Sequence, residues 1–304
     1  MIGPVLGIDL GGTTIKAGVV DPTGTVHSYV TFPSRESEGR EAWAQAALEA
    51  AHQATFASSI RPRAIGLSIP GAVDPRTGTL LDLVARLDTS AGIDLSKIFS
   101  PLELPVWADN DARAALHAER RWGRHEDPDN LVLLTIGTGI GSAAVIEGET
   151  LAPHDVLGGG ILLGHITVEL AGDPCVCGNI GCVETVASAT ALMKTAQRLG
   201  VNAADAAGVF AADASGNEAA AQAIDRFLTG LSAAIVNAVH VYRPSTVVLS
   251  GGVMAQADRI LPTLRQEVTR RAWTIPRGQV KIVASILGAK GAVLAGAAVA
   301  LRTR

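Results

Sequence analysis

A histidine and three cysteines in one short segment carry side chains that bind soft metal ions: His165, Cys175, Cys177 and Cys182. Three thiolates and one imidazole form the ligand set of a closed tetrahedral Zn²⁺ site, which favours a structural over a catalytic ion. The Cys-x-Cys spacing is tighter than the usual two-residue spacing, so an unliganded or redox-active thiol cluster is the alternative. Glu184 follows directly, and a metal-held loop would aim it into a cleft; the alternative is an ordinary surface glutamate.

Two turns rich in glycine and threonine have the composition of phosphate-binding loops. The first covers residues 9–14 (Asp-Leu-Gly-Gly-Thr-Thr) and the second covers residues 135–141 (Thr-Ile-Gly-Thr-Gly-Ile-Gly). Glycine lets the backbone approach a phosphate and point N–H groups at it, and threonine hydroxyls add donors. Asp9 suits Mg²⁺, which takes few carboxylates and keeps several waters. A plain hairpin turn, which also favours glycine, is the alternative.

Neither turn matches the other common nucleotide-binding loops. No Gly-Lys-Ser/Thr is present, and the second turn is followed by a strand-like run rather than by the helix of a dinucleotide-binding fingerprint. Two such loops would hold one triphosphate from both sides of a cleft. A third glycine turn, residues 250–254, follows a buried strand. It would hold the nucleoside end of ATP, or it is a simple strand-to-helix turn.

Asp109, Asn110 and Asp111 lie where a predicted strand meets a predicted helix. A carboxylate in this place can act as the base that orients and deprotonates a substrate hydroxyl in phosphoryl transfer. Asn110 could then hydrogen-bond a neighbouring hydroxyl. The alternative is an aspartate that only caps the helix.

The elements that must position these residues follow a pattern that occurs twice. Apolar runs at residues 5–10 and 131–136 predict buried strands, and each is followed by a glycine-threonine turn, a second strand and a second turn. This repeat indicates a duplicated α/β architecture, one copy per lobe. Further strands are expected at 26–32, 64–69, 105–108 and 246–249, and a loop at 74–78. Helices are expected at 41–56, 111–122, 188–199, 218–242, 257–272 and 289–301.

Composition excludes several classes of protein. A chain of 304 residues that is 48% hydrophobic and 18% charged supports a sizeable core and is not disordered. A net charge of −4 and an aromatic content of 4% give neither the basic face nor the stacking platform of a nucleic-acid-binding protein. The longest charge-free apolar stretch, residues 131–146, is too short and too rich in glycine to span a membrane. Without a basic residue before Lys16 a secretory signal is not expected, so we expect a cytoplasmic protein.

Taken together, the motifs resemble the ROK family (repressors, open reading frames and sugar kinases) over nearly the full chain. The resemblance is carried by residues 6–16, 69–71, 109–112 and 134–141. Its most specific part is Gly164-His165 followed by Cys-x-Cys-Gly-x-x-Gly-Cys-x-Glu at residues 175–184.

This resemblance implies an α/β, actin-like and ribonuclease-H-like ATPase fold of two lobes with an interlobe cleft. Residues 1–120 would form a small lobe, joined by the C-terminal helix 289–304, and residues 121–288 would form a large lobe with a zinc knuckle. It also implies an ATP- and Mg²⁺-dependent, glucokinase-like kinase that phosphorylates the 6-hydroxyl of a hexose. The implied partners are sugar, ATP and further copies of the chain in a homodimer or larger homo-oligomer, with no nucleic acid and no membrane.

The resemblance also implies residue roles. Asp111 would be the base for the sugar 6-hydroxyl, and the other residues at the sugar would be Gly71, Asn110, His165 and Glu184. ATP and Mg²⁺ would be held by Asp9, Gly11, Gly12, Thr13, Thr14, Lys16, Thr135, Gly137, Thr138, Gly139, Gly251 and Gly252. In zinc-bearing members the histidine is the fourth metal ligand beside the three cysteines. Because one nitrogen cannot easily do both, we expect an indirect sugar role for it here.

Two segments depart from the family pattern. Leu162 stands where family kinases usually have glutamate, and residues 83–88 replace a segment that is usually rich in asparagine. Leucine cannot accept hydrogen bonds from sugar hydroxyls, so the substrate is expected to be glucose or an unusual derivative: an amino, N-acyl or deoxy sugar, a glycoside or a cyclitol. The alternative is a sugar-binding sensor or ROK transcriptional regulator without turnover. The regulator is disfavoured because the first loop begins at Asp9, leaving no room ahead of it for a helix-turn-helix.

Overall fold

The computed structural model describes residues 3–74, 77–82, 92–152 and 160–301. The chain divides into two compact units. Unit 1 comprises Met1–Pro128, Ala152–Gly160 and Ile286–Arg304, and unit 2 comprises Asp129–Leu151 and Ile161–Ser285. Residues 83–88, one of the two departures noted above, lie outside the described residues.

The strands are short and follow the apolar runs of the sequence. They are β1 Val5–Leu10, β2 Thr14–Val20, β3 Val30–Pro33, β4 Ala64–Ile69, β5 Ala72–Asp74, β6 Thr79–Asp82, β7 Ile93–Asp94, β8 Val106–Asn110, β9 Leu131–Ile136, β10 Ile140–Ile146, β11 Glu149–Thr150, β12 Thr246–Ser250 and β13 Lys281–Ala284.

The α-helices alternate with the parallel strands. They are α1 Arg40–Phe56, α2 Leu95–Ile98, α3 Asp111–Trp122, α4 Val183–Ala187, α5 Ala189–Arg198, α6 Ala206–Ala214, α7 Glu218–Tyr242, α8 Ala257–Arg271 and α9 Gly291–Leu301. Short 3-10 turns include Glu36–Glu38, Leu163–His165 and Gly252–Gln256.

Each unit contains a five-stranded sheet with the same strand order. Unit 1 has the order β3-β2-β1-β4-β8 and unit 2 has the order β11-β10-β9-β12-β13. In unit 1 the central strand β1 pairs antiparallel with β2 and parallel with β4. In unit 2 the central strand β9 likewise pairs antiparallel with β10 and parallel with β12. The duplication that the sequence predicts is thus confirmed. Because parallel strands end at one edge, the residues that follow β1, β4 and β8 are neighbours, as are those that follow β9 and β12.

The sheet of unit 1 is covered by helices with faces of small residues. Helix α1 buries Trp43 and a row of alanines, and it packs against β2 and β3. Helix α9 crosses β1 and β4 so closely that a Cβ on Gly66 would lie 2.1 Å from the carbonyl oxygen of Gly296. Glycine is therefore required at this crossing, as the Ala/Gly-rich sequence of α9 suggests.

Helix α7 is the longest helix of unit 2 and forms much of its core. It packs against α4, α5, α6 and α8, and Phe227, Leu231 and Ile235 on it are fully buried. The side chain of Asn217 caps its first turn, and Arg243, in the left-handed conformation with φ 50°, ends it. Within the described ranges, no helix has both the length and the apolarity needed to cross a membrane.

Three local features differ from the sequence expectations. Strand β3 begins at Val30 rather than at residue 26, because the Asp21 carboxylate accepts the N–H groups of Thr23 and Thr25 and contacts the His27 ring, which holds this segment in a turn. The loop expected at residues 74–78 joins β5 to β6, with residues 75 and 76 outside the described ranges; what was not expected is the small antiparallel sheet β5-β6-β7 around it, whose strands are too short to show alternation. Helix α6 and strand β13 were not expected; in α6, alanines and a glycine obscure the helical period.

Candidate functional site

The first glycine loop joins β1 to β2 in unit 1, as the sequence predicts. Asp9 and Lys16 lie opposite each other in the β1–β2 ladder, and their charged groups are 4.0 Å apart. The Ser68 hydroxyl, on the neighbouring strand β4, donates to the Asp9 carboxylate at 3.0 Å. Gly11 must be glycine, since a Cβ there would lie 2.7 Å from the carbonyl oxygen of Thr14. The loop between the two strands is completed by Gly12 and Thr13.

Asn110 and Asp111 lie at the junction of β8 and α3. Asn110 caps the helix: its Oδ1 atom accepts the N–H groups of Ala112 at 3.0 Å and Arg113 at 3.3 Å. Its Nδ2 group donates to the carbonyl oxygen of Gly71 at 3.1 Å, where φ is 100°. The cap is therefore an asparagine, and the alternative of an aspartate cap is wrong. Asp111 is the first helical residue, and its carboxylate accepts the N–H of Ala112 at 2.8 Å.

A buried ion pair, not found from the sequence, holds the same junction. The Nε and Nη2 groups of Arg113 both lie 2.6 Å from Oδ1 of Asp109. This oxygen also accepts the N–H of Asn110 at 2.8 Å, and His117 Nε2 is 3.4 Å from the other oxygen. Asp109 and Arg113 are each 1% exposed. The pair thus fixes the end of β8 to the first turn of α3. The i, i+4 spacing of the two charges would have been the only sequence signal.

The two carboxyl groups predicted to act in unit 1 both have raised pKa values. Burial raises the pKa of Asp111 to about 6, and the nearby negative charge of Asp9 adds to this effect. The N–H groups that Asp111 accepts act in the opposite direction but are outweighed. Burial likewise raises the pKa of Asp9, although Lys16 and Ser68 lower it. Asp111 is therefore a stronger base than an exposed aspartate and still mostly ionised at pH 7.

The second glycine loop joins β9 to β10 in unit 2 and is held from two helices. The N–H of Gly137 donates to the carbonyl oxygen of Gly139 at 3.0 Å, and the N–H of Ala189 donates to that of Gly137 at 2.8 Å. Glu184 on α4 accepts the N–H of Ile140 at 2.9 Å. The predicted sugar ligand Glu184 therefore contacts the phosphate-type loop through one carboxylate oxygen.

The third glycine turn lies beside the second loop because β9 and β12 are parallel neighbours. Thr135 pairs with Ser250 in the ladder. Gly251 has φ 98°, and a Cβ on it would lie 2.3 Å from the carbonyl oxygen of Ile136, so only glycine fits. Gly252 opens the following 3-10 turn and has open space around it. The structure thus brings the second and third loops together, as a nucleotide site requires.

A cavity of about 500 Å³ begins at Thr138 of the second loop. Its wall combines apolar groups with polar ones from α5 and from the residues before α6: Thr190, Met193, Lys194, Gln197, Val201, Asn202, Ala203 and Asp205. A mixed wall of this kind suits a base and ribose. These residues were missed in the sequence, because nothing local marks the face of α5 that lines a cavity.

The metal-type cluster is assembled in unit 2. One ligand atom from each of His165, Cys175, Cys177 and Cys182 lies within 4.8 Å of all the others. Cys175 Sγ lies 3.5 Å from Nδ1 of His165, and Cys177 Sγ lies 3.7 Å from Cys182 Sγ. Gly181 (φ 63°) allows the sharp turn before the last cysteine. Within the described residues this is the single group of three or more histidine, cysteine or acidic side chains that could hold a metal ion.

His165 is a predicted sugar ligand, and Leu162 is the departure from the family pattern that lies near it in sequence. Nδ1 of His165 faces the sulfur atoms, which leaves Nε2 for another partner. Leu162 is 57% exposed although its backbone is fixed: its carbonyl oxygen accepts the N–H of His165 at 2.9 Å. The Ser142 hydroxyl bridges the two flanking residues, donating to Ile161 at 2.7 Å and accepting from Leu163 at 3.0 Å. An apolar side chain is thus presented to solvent from a rigid backbone.

The predicted residues fall into two groups, each described within its own unit. Unit 1 brings together the loop of residues 9–14, Lys16, Gly71 and the pair Asn110–Asp111. Unit 2 brings together the loop of residues 135–141, Gly251–Gly252, Glu184 and the cysteine cluster.

Comparison with known proteins places the chain among sugar kinases and regulators. The sequence profile of the ROK family matches residues 5–303. A glucokinase from Thermotoga maritima is 28% identical over 97% of this chain and 96% of its own length. A xylose repressor from Bacillus subtilis is 25% identical over 93% of this chain and 73% of its own length. A ROK family glucokinase from Streptomyces griseus, solved with glucose and AMPPNP, is 26% identical with a TM-score of 0.81, covering 97% and 98% of the two chains. The expected α/β, actin-like and ribonuclease-H-like fold is confirmed by this similarity.

Proposed function

The chain belongs to the ROK family, and from this premise we propose that it is a hexose kinase that transfers the γ-phosphoryl group of MgATP to the 6-hydroxyl of its sugar. The enzyme class, a glucokinase-like sugar kinase, follows from its relatives. We further propose that the residues assigned above from the sequence carry out the reaction, and that the two units are the lobes of the kinase.

The observation that carries the proposal is the position of Asp111. It opens α3 beside the capping residue Asn110, and burial raises its pKa to about 6. A general base works best with a pKa near the working pH. A protein that only binds sugar has no need of such a carboxylate. Asp111 would accept the proton of the 6-hydroxyl while that oxygen bonds to the γ-phosphorus and the bond from phosphorus to the leaving oxygen of ADP breaks.

The remaining residues would bind and orient the two substrates. Backbone N–H groups of the two glycine loops would donate to phosphate oxygens, and Lys16 would add a positive charge. The cavity beside Thr138 would take the nucleoside. Asp9, a half-buried carboxylate that Lys16 and Ser68 contact in the part of the chain that the structure describes, suits the water shell of Mg²⁺. When bound, Mg²⁺ screens the charge of the phosphates.

A Zn²⁺ ion fits the cluster in unit 2, because three sulfur atoms and one imidazole nitrogen already converge there. When bound, the ion supplies a structural crosslink of the loop that precedes α4. With Nδ1 of His165 on the metal, Nε2 would carry the proton and donate to a sugar oxygen. Both roles expected for this histidine would then be compatible, and its contact with the sugar would be direct. Glu184 would accept from a sugar hydroxyl through its second carboxylate oxygen.

The decisive experiment measures ADP release from the full chain with ATP, Mg²⁺ and a panel of hexoses. Asp111→Asn should lower kcat by ~10²–10⁴-fold, the usual contribution of a general base. Asp94→Asn is the matched control, since Asp94 caps α2 in the same unit through its side chain. ADP release that is unchanged in Asp111→Asn would remove the role of this residue, and no turnover with any sugar would remove the proposal.

The choice of sugar substrate depends, in this proposal, on Leu162. We propose glucose or a derivative with a less polar or substituted position: an amino, N-acyl or deoxy sugar, a glycoside or a cyclitol. The exposed leucine on its fixed backbone supports this, because it offers apolar contact and no acceptor. Leu162→Glu should shift the ratio of kcat/KM values toward glucose, and Leu162→Met should leave it unchanged. The same ratio in all three proteins would exclude Leu162 as the specificity residue.

A second function, a sugar sensor without turnover, is favoured by one finding, the similarity to a xylose repressor. Calorimetric sugar binding in a protein that never releases ADP would establish it. We also propose a homodimer or larger homo-oligomer, as the resemblance implies. Light scattering across a concentration series would test this, and a monomer throughout would contradict it.

A further inference from the structure

Ser34 contacts the first glycine loop from the end of the neighbouring strand. Its hydroxyl donates to the carbonyl oxygen of Gly12, and its N–H donates to the carbonyl oxygen of Thr13 at 3.0 Å. Ser34 is 3% exposed, and its hydroxyl also accepts the N–H of Glu36 at 3.4 Å. One buried residue at the end of β3 thus binds two successive carbonyl groups of the loop, that of Gly12 through its side chain and that of Thr13 through its backbone N–H.

These two bonds decide where the N–H groups of the loop point. In a trans peptide the C=O of one residue and the N–H of the next point in opposite directions. With the Gly12 carbonyl turned toward Ser34, the N–H of Thr13 points to the opposite side. The N–H groups of Gly12 and Thr13 donate to no atom of the residues that the structure describes. They are therefore free for an external acceptor.

A loop built from glycine needs such an anchor. Gly11 and Gly12 have no Cβ and give the chain access to many backbone conformations, so the loop by itself fixes the direction of the Gly12 carbonyl only weakly. Without the Ser34 hydroxyl, the carbonyl oxygen of Gly12 could turn to the side on which a phosphate would bind. Its negative end would then repel the phosphate.

We propose that Ser34 is a positioning residue for nucleotide binding, which orients the N–H groups of the first glycine loop toward the phosphates. The proposal rests on the proposed function, because it assigns the phosphates to this loop. Ser34 does not touch the substrate. It acts through the Gly12–Thr13 peptide, so its loss should weaken nucleotide binding while the sugar site stays intact.

Ser28 provides a matched control in the same unit. It is also buried, at 7% exposed, and its hydroxyl also donates to a backbone carbonyl oxygen, that of Ala54 at 2.7 Å, and accepts a backbone N–H, that of Val19 at 3.0 Å. Ser28→Ala and Ser34→Ala therefore remove hydrogen bonds of the same kind. We expect both variants to lower Tm by similar amounts. Any difference in nucleotide affinity then reports on the loop alone.

The test is calorimetric binding of ADP to the full chain, with steady-state kinetics beside it. Ser34→Ala should weaken ADP binding and raise KM for ATP by about five- to tenfold, the effect of one misplaced donor set. The sugar KM and kcat at saturating ATP should stay within about twofold. Ser34→Thr, which keeps the hydroxyl, should restore most of the affinity, and Ser28→Ala should bind as the natural protein does.

Unchanged ADP binding in Ser34→Ala would overturn the inference and leave the proposed function standing. An equal loss in Ser28→Ala and Ser34→Ala would also overturn it, because the effect would then be one of general stability. No ADP binding by the natural protein would overturn the proposed function and this inference together.

Discussion

The carboxylate of Glu184 accepts the N–H of Ile140 at 2.9 Å, so the helix that follows the cysteine cluster holds the second glycine loop. Its Oε2 atom fills the space beside Gly139, where a Cβ would lie only 2.4 Å away. A Cβ on Gly137 would meet nothing within 4 Å. A side chain at Gly139 would therefore clash with Glu184, whereas a side chain at Gly137 would not.

Gly139→Ala should displace the Glu184 carboxylate and break its bond to Ile140. One lost hydrogen bond costs ~1 kcal/mol, so KM for ATP should rise about fivefold. Gly137→Ala is the matched control and should leave KM for ATP within about twofold. In a Glu184→Ala background the clash no longer exists, and adding Gly139→Ala should then have almost no effect. A KM that rises equally in both glycine variants would contradict the contact.

The pH dependence of turnover should report the Asp111 carboxyl. A base must be ionised to accept a proton, so its active form exists above its pKa, which burial raises to about 6. We expect kcat/KM for the sugar to fall tenfold per pH unit below about pH 6 and to reach a plateau above pH 7. Measurements of kcat/KM between pH 4.5 and 8 would give this pH dependence, restricted to the pH values at which the protein stays folded. A midpoint near pH 4 would show that the carboxyl is not buried in the active protein.

The free energy of unfolding should depend on the same carboxyl in the opposite direction: the fold should be more stable when the carboxyl is protonated. The folded pKa of Asp111 lies above its ordinary value of 3.8, so the folded state binds more protons between pH 4 and 6. Its ionisation therefore lowers the free energy of unfolding progressively from about pH 4 to pH 6, and by a constant amount above that. A pKa difference of about 2 corresponds to ~3 kcal/mol; because the Asp111 residue is half-buried rather than fully buried, solvent screening reduces this to roughly 1–2 kcal/mol. In urea unfolding, the free energy of unfolding of Asp111→Asn, taken relative to that of the natural protein, should therefore increase by this amount from pH 4 to pH 8. A constant difference would contradict the raised pKa.

Much of the fold could be predicted from the sequence because its signals are local. Strands β1 and β9 are continuous apolar runs that end in glycine-threonine turns, and helices α3 and α7 begin and end as their patterns indicate. The repeat of this pattern indicates two α/β units, and the resemblance to the family implied the actin-like fold. Strand β13 was missed because four residues at a sheet edge carry too little alternation.

The site was less predictable where it depends on strand register. Residue types and spacing could not distinguish Asp109 from Asp111 as the functional carboxylate; only the resemblance to the family singled out Asp111. The structure shows that Asp109 is committed to Arg113, since the helix places that residue one turn later. Ser68 reaches Asp9 from a strand 59 residues away, a contact that appears only when β1 and β4 are paired in register.

The zinc content of the protein should depend on the four converging ligands in unit 2. Protein purified without chelator should contain about one zinc ion per chain, since structural sites of this kind bind tightly at neutral pH. Cys175→Ser and Cys182→Ser should lose the ion and lower Tm by several degrees. Val176→Ser is the matched control, because Val176 lies between two ligands and is 89% exposed. Elemental analysis and thermal unfolding would measure both effects. Zinc content near zero in the natural protein would exclude the site.

The buried pair of Asp109 and Arg113 should contribute to stability in a way that only the double variant reveals. Arg113→Met leaves a carboxylate that is 1% exposed without the guanidinium 2.6 Å away, which should cost ~3 kcal/mol. Asp109→Asn in addition removes the buried charge and should recover ~1 kcal/mol or more. Arg198→Met is the control, because Arg198 pairs with Asp173 at the surface, where solvent screens the pair, and the free energy of unfolding should stay nearly unchanged. Urea unfolding at pH 7.5 measures all four proteins. A double variant that is less stable than Arg113→Met would show that the unpaired charge of Asp109 is not what destabilises Arg113→Met.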